Sequence, residues 1–214
     1  METMNAMTRH PGVPPEIVRA PLRTVRARDV TAYAHPRQQL ARLAGRGILH
    51  RLADGFYTVV PRERTGDTWI PSLEGAAAGV AAAEFGDRRY ALMNLSAARL
   101  HRAVPRALAV ADVAAPRRRQ PLRLTDRPAR VRFFVRDIDA LHVEMLATDL
   151  GACLVTTPEQ TVLDLAHLSP LDDLHGEAVA AIRILLPRCD EANLAEIAGT
   201  QRLKRALTRI REMS

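Results

Sequence analysis

Apolar positions along this chain change period several times, and each change marks an element. Over residues 36–44, Leu40 and Leu43 lie three apart on one helical stripe, with Arg37, Gln38, Gln39 and Arg42 on the other side. Proline at the first position favours that helix, because its φ is already helical and its missing N–H has no partner there. His35, which precedes the proline and is pushed out of helical geometry, separates it from a short helix expected over 28–34. Gly45 or Gly47 stops it. Apolar runs at 48–52 and 56–60 then flank Ala53-Asp54-Gly55, and Asp-Gly between two such runs is a hairpin signal. Helix, tight turn, helix and hairpin follow the order of a winged helix-turn-helix, here residues 17–62. The lead-in 1–16 carries three prolines and little helical pattern.

The pattern changes after a linker over 61–71. Ser72 is placed to cap an alanine-rich helix ending near residue 85, whose Gly75 and Gly79 lie four apart and point to close packing. Strands are expected at 90–93, 108–113 and 131–135, with a short helix at 96–101. A further pair, 142–147 with 152–156, turns at Asp149-Leu150-Gly151. Thr157-Pro158-Glu159-Gln160 reads as a helix start in which threonine caps, proline takes the first position and Gln160 reaches back as in a capping box. That helix stops at Ser169-Pro170. Helices at 174–186, 191–198 and 201–213 follow, the last with Leu203, Ala206, Leu207 and Ile210 on one stripe. There is no internal repeat. The expected class is α+β: an N-terminal winged helix-turn-helix followed by a mixed α/β domain over 72–214.

Composition narrows the chemistry. A chain of 214 residues has material for a sizeable core. No window approaches the ~18 consecutive apolar residues of a membrane span. The first residues lack the apolar stretch and cleavage site of a secretory signal, so a cytoplasmic protein with no membrane partner is expected. Cys153 and Cys189 are too few for a disulfide framework or a four-thiolate zinc site.

Charge is more informative. Lysine and arginine number 31 against 24 carboxylates, and Lys204 is the only lysine. Residues 1–65 carry a net +6 and 99–136 a net +9, whereas 137–214 carry −6. Two cationic blocks point to a polyanion, with a solvated basic surface as the bland alternative. Arginine forks match guanine O6/N7 and glutamine amides match adenine N6/N7. Arg37, Gln38, Gln39 and Arg42, with Arg46 just beyond, therefore form a candidate major-groove face. Arg51 beside the hairpin tip is a candidate phosphate contact. Arg117, Arg118 and Arg119 are less specific, suited to a nucleic-acid backbone or to an acidic protein. Only Phe133 and Phe134 interleave with that block, which argues against single-strand binding by stacking.

Catalytic patterns are thin. Seven histidines form no HExxH pair and no zinc-like spacing with cysteine. There is no GxSxG elbow or Walker A loop, and no Gly-Ser followed by the Asp-x-Asp pair with which a nucleotidyltransferase would hold its metals. Asp164 and His167 sit three apart on one helix face, an arrangement better read as a contact than a site, and Asp172-Asp173 as a helix cap. No enzyme, metal or cofactor is expected.

The hairpin segment GRGILHRLADGFYTVVP, the segment ALMNLSAARLH ending at His101, and VTTPEQTVLDLAHL at 155–168 together resemble the AbiEi-type antitoxins and transcriptional regulators. The resemblance spans roughly residues 17–210, and the Thr-Thr-Pro-Glu-Gln-Thr segment is its most specific part. It implies a winged-helix domain that binds inverted repeats upstream of its own operon and represses it. It also implies a C-terminal domain that counteracts a nucleotidyltransferase-like toxin in a type IV toxin–antitoxin system, without need of a stable complex. Arg37, Gln38, Gln39, Arg42 and Arg46 fall on the family's recognition helix and Arg51 on its wing. Thr157, Pro158, Glu159, Asp164 and Leu165 fall on its C-terminal motif, read as structural. Two alternatives stay open: a solitary winged-helix regulator whose second domain senses a ligand or oligomerises, and a protein-interaction module using the basic block.

Overall fold

The computed structural model describes residues 12–65, 68–168 and 175–213; most of the lead-in, the Ser169-Pro170 stop and Asp172-Asp173 lie outside them. The N-terminal part opens with a short helix α1 (Pro15–Val18) and strand β1 (Thr24–Arg26), followed by helix α2 (Pro36–Gly45) and strands β2 (Leu49–Ala53) and β3 (Phe56–Val59). The three strands form an antiparallel sheet in the order β1-β3-β2. Ile17, Leu40, Leu43, Leu49, Tyr57 and Val59 pack together beneath it. The expected stripe of α2 is thus its buried face.

Helix α2 ends as its sequence dictates. Gly47 adopts φ 68, its N–H reaches the Ala44 carbonyl at 2.9 Å, and the Ile48 N–H reaches Leu43 at 3.1 Å. This is a Schellman closure, which needs a left-handed residue where glycine costs least. Gly55, at φ 77, turns the hairpin that follows.

The helix expected over 28–34 does not form. Only a single 3-10 turn is present, Ala27–Asp29, and Val30 is extended. The Glu16 carboxylate accepts the Thr31 and Ala32 N–H groups, each at 3.0 Å. Those donors are satisfied by a side chain from α1, and β-branched Val30 and Thr31 have little preference for helix.

The second part begins with α3 (Leu73–Phe85), capped by Ser72, whose Oγ accepts the Gly75 N–H at 3.0 Å. Six strands follow in one mixed sheet: β4 (Ala91–Leu92), β5 (Val110–Ala115), β6 (Leu122–Arg123), β7 (Arg130–Val135), β8 (Val143–Thr148) and β9 (Gly151–Thr156). Their order is β6-β7-β5-β4-β9-β8, with β5/β7 and β4/β9 parallel. The two-residue β6 had no apolar pattern to announce it. The small side chains of α3 lie against Val113, Val131, Cys153 and Val155 on one sheet face. Helices α4 (Asn94–Leu100), α5 (Pro158–His167), α6 (His175–Leu185), α7 (Glu191–Thr200) and α8 (Lys204–Glu212) build a separate core around Leu163, Leu185, Leu194, Ile197 and Ile210.

The N-terminal sheet is docked on α3 and on the edge of the larger sheet. A Cβ placed on Gly79 would lie 2.5 Å from Thr24 Oγ1, so β1 rests directly on the α3 backbone. Leu52, Ala53 and Phe56 share the α3 core. Ala53 bridges Leu124, and the Thr125 N–H donates to the Leu52 carbonyl at 2.9 Å. At the same seam His50 Nε2 lies 2.7 Å from the Asp126 carboxylate.

Candidate nucleic-acid interface

The buried stripe of α2 turns its other side to solvent. Arg37, Gln38 and Arg42 are exposed, Gln39 is half-buried, and Arg46 stands exposed at the helix end. Among the described residues none of these three arginines forms an ion pair, so their forks are free to meet an acceptor. Arg51, on β2, is tied to Asp54 across the hairpin tip at 2.6 Å. Both side chains are solvent-exposed, so that pair opposes a phosphate contact only weakly.

Arg117, Arg118 and Arg119 do not form one surface. Arg118 is exposed and unpaired among the described residues, whereas its neighbours turn toward Glu84 in the last turn of α3. Arg117 Nη2 lies 3.1 Å from the Glu84 carboxylate and its guanidinium sits 5.1 Å from the Phe85 ring centre. Arg119 lies between the Phe56 and Phe133 rings, at 5.6 and 5.7 Å. Sequence spacing groups the three; tertiary contacts separate them.

The C-terminal motif is a buried polar knot. Thr157 caps α5 by accepting the Gln160 N–H at 3.3 Å. Gln160 does not reach back as a capping box would, because the Thr157 N–H already donates to the His142 carbonyl at 3.0 Å. Its fully buried side chain turns inward instead, donating to Asp164 Oδ1 at 3.1 Å and to Gln201 Oε1 at 3.0 Å. Arg136 completes the knot, reaching Asp164 at 3.0 Å and Gln201 at 2.9 Å. Burial pushes the Asp164 carboxyl up, while Arg136 and Gln160 pull it down. His167 is exposed and makes no hydrogen bond to Asp164. Thr156 and Thr161 share a buried hydroxyl contact at 2.7 Å.

A family model for the AbiEi antitoxin C-terminal domain matches residues 90–213, which includes all of this motif. The chain belongs to the AbiEi antitoxin family. Among curated proteins no relative matches the sequence.

In this AbiEi antitoxin the matched region runs from β4 to α8, so the family signature covers the six-stranded sheet and the helical core. Membership carries an antitoxin role. Among the described residues, no group of three His, Cys, Asp or Glu side chains is placed to hold a metal ion. Burial pushes both Cys153 and Cys189 up to about 12, which leaves them protonated thiols at neutral pH. No helix among the described residues is long and apolar enough to cross a membrane.

Several polar residues escaped the sequence reading. Arg136 and Gln201 belong to the motif although they lie 24 residues before and 41 residues after Gln160, and no spacing rule joins them. Asp112 on β5 is buried and takes a two-pronged hydrogen bond from Arg132 at 2.8 and 2.9 Å, with Asn94 at 3.1 Å. A charged residue inside an apolar strand run was the available signal. Arg26, Arg28 and Glu84 were likewise missed, because each reads as an ordinary surface residue until the two sheets meet.

Proposed function

We propose that this antitoxin represses its own operon by binding double-stranded operator DNA through its N-terminal part, and that its C-terminal domain counteracts a nucleotidyltransferase-like toxin. The observation that carries the DNA-binding half is the element order β1, α2, β2, β3 with the strands paired β1-β3-β2. This order supports a winged-helix reading, with α2 as the recognition helix and the hairpin tip as the wing. The first two helices are shortened to α1 and a 3-10 turn, and on this reading α2 alone serves as the recognition helix with the hairpin as its wing. Arg37, Gln38, Gln39, Arg42 and Arg46 then read base edges, and Arg51 and Arg118 hold backbone phosphates. The duplex contains inverted repeats, so two copies of the chain occupy it. The toxin half rests on family membership and needs no stable complex.

The test is fluorescence anisotropy with the gene's own upstream duplex, titrated against excess random duplex at near-physiological salt. Binding that survives the competitor establishes an operator-reading protein. Binding that disappears leaves generic polyanion affinity and removes the autorepressor reading. Co-expression with the product of the adjacent gene tests the toxin half: growth is restored if the antitoxin acts on it, and not otherwise.

A further inference from the structure

Glu84 stands where the two sheets meet, and one carboxylate there faces four guanidinium groups. Its side chain is 3% exposed; Arg26 reaches it at 2.7 Å, Arg117 at 3.1 Å, Arg119 at 3.8 Å and Arg28 at 3.9 Å. Asp29 offsets part of the excess by pairing with Arg26 and, at 3.9 Å, with Arg28. Two carboxylates thus face four guanidinium groups, and the cluster keeps a net positive charge. A cleft of about 290 Å³ opens beside them, lined by Arg26, Arg28, Arg37 and Arg119 together with Asp54 and Glu84. Asp54 is engaged outside, with Arg51.

Arg119 is the informative member. Two aromatic rings fix its guanidinium, yet it donates no hydrogen bond among the described residues, and its Nε is buried without an acceptor. A half-buried guanidinium with its donors unused is costly, because donors removed from water lose hydrogen bonds that nothing replaces. An incoming acceptor removes that cost. Planar guanidinium forks match the paired oxygens of a phosphate, and the charge around Glu84 favours a multiply charged anion. The volume lies at the small end of ligand cavities, which suits one or two phosphate groups with little organic remainder.

We propose that this cleft binds a phosphate group, held by Arg119, Arg28 and Arg26 and bordered by Arg37 from the recognition helix. The phosphate has two sources: a soluble phosphorylated compound, or a backbone phosphate of the duplex lying on α2. In either case the ligand sits between the N-terminal sheet and the antitoxin domain, and its binding links the two. The site goes beyond the operator-binding reading, since a soluble ligand requires no DNA.

The experiment is isothermal titration calorimetry of the full chain with inorganic pyrophosphate at constant ionic strength, beside duplex anisotropy on the same preparations. The wild type is expected to bind pyrophosphate saturably at one site per chain. Arg119→Met, which keeps the apolar contact with the rings, should weaken binding at least tenfold, and Arg28→Gln several-fold. Arg28 is largely exposed and only loosely paired, so its loss leaves the fold intact even if Arg119→Met does not fold. Glu84→Gln should tighten binding, because the competing carboxylate is gone. Arg205→Met, exposed on α8 and outside the cleft, should leave it unchanged. No saturable binding, or equal weakening by Arg205→Met and Arg28→Gln, overturns the site. If Arg28→Gln loses pyrophosphate but keeps the duplex, the source is soluble. If pyrophosphate displaces the duplex and both affinities fall together, the source is the DNA backbone. Failure of duplex binding alone removes the operator reading and leaves the pyrophosphate site standing.

Discussion

Gln160 and Gln201 exchange amide hydrogen bonds: Gln160 Nε2 donates to Gln201 Oε1 at 3.0 Å, and Gln201 Nε2 donates back to Gln160 Oε1 at 2.7 Å. The pair ties the first turn of α5 to the end of α7, and Gln201 also reaches the Ala140 carbonyl at 2.9 Å. Through Asp164 and Arg136 it extends to the residue that follows β7. The 155–168 segment therefore joins sheet and helices, which accounts for its glutamine and aspartate without any ligand.

Replacing Gln160 by alanine should cost about 2–4 kcal/mol, from a cavity plus the unpaired Gln201 amide and the less satisfied Asp164 carboxylate. Urea denaturation of the single variant measures it. Gln160→Leu refills the volume and should recover only part of the loss. Full recovery by leucine would make the residue a space-filler.

Gly79 predicts a change of sign. Glycine to alanine in a helix normally stabilises by ~1 kcal/mol. Here the new Cβ meets Thr24 Oγ1 at 2.5 Å and Thr24 Cβ at 3.2 Å. Such a clash costs roughly 1–3 kcal/mol, so Gly79→Ala should be net destabilising. Combining it with Thr24→Ala should restore much of the loss, and a double-mutant cycle reads the coupling. Additive effects would mean that β1 does not rest on α3.

Asp126 gives the seam between the sheets an acid limit. Burial disfavours its charge, but hydrogen bonds from His50 and Arg127 outweigh burial and hold the carboxyl at about 2. A carboxylate lowered in the folded state contributes stability above its unfolded value near ~4. That contribution is lost as pH falls through about 2. Thermal melts between pH 5 and pH 2 should show the wild type losing more stability than Asp126→Asn, with the two converging at the acid end. Parallel curves would remove Asp126 as a contributor.

Elements with strong local signals were legible in the sequence. Pro36 and Gly47 bound α2, Asp54-Gly55 turned the hairpin, Ser72 and Thr157 capped their helices, and the stripe at Leu203, Ala206, Leu207 and Ile210 was buried, from the N-cap of α8 through the helix. What failed depended on partners distant in sequence. Glu16 captured the amides that a helix over 28–34 would have used, and Gln160 found Gln201 in place of its own N-cap. The run Arg117-Arg118-Arg119 looked like one patch because a linear sequence hides Glu84, 33 residues upstream of Arg117. The outward face of α2 was readable because a helix with one apolar stripe leaves its remaining side chains to solvent.

Arg42 separates base reading from charge. It is exposed, unpaired among the described residues, and lies one turn beyond Gln38 on α2. If it makes a bidentate contact to guanine, Arg42→Ala should cost about 1–3 kcal/mol on the operator duplex and far less on random DNA. If Arg118 holds a backbone phosphate, Arg118→Ala should weaken both duplexes alike and lower the steepness of the salt dependence by about one unit. Anisotropy titrations of both variants on both duplexes, at several salt concentrations, distinguish the roles. Equal loss on the two duplexes for Arg42→Ala would move that residue to the backbone, and the glutamines of α2 would then have to carry the sequence preference.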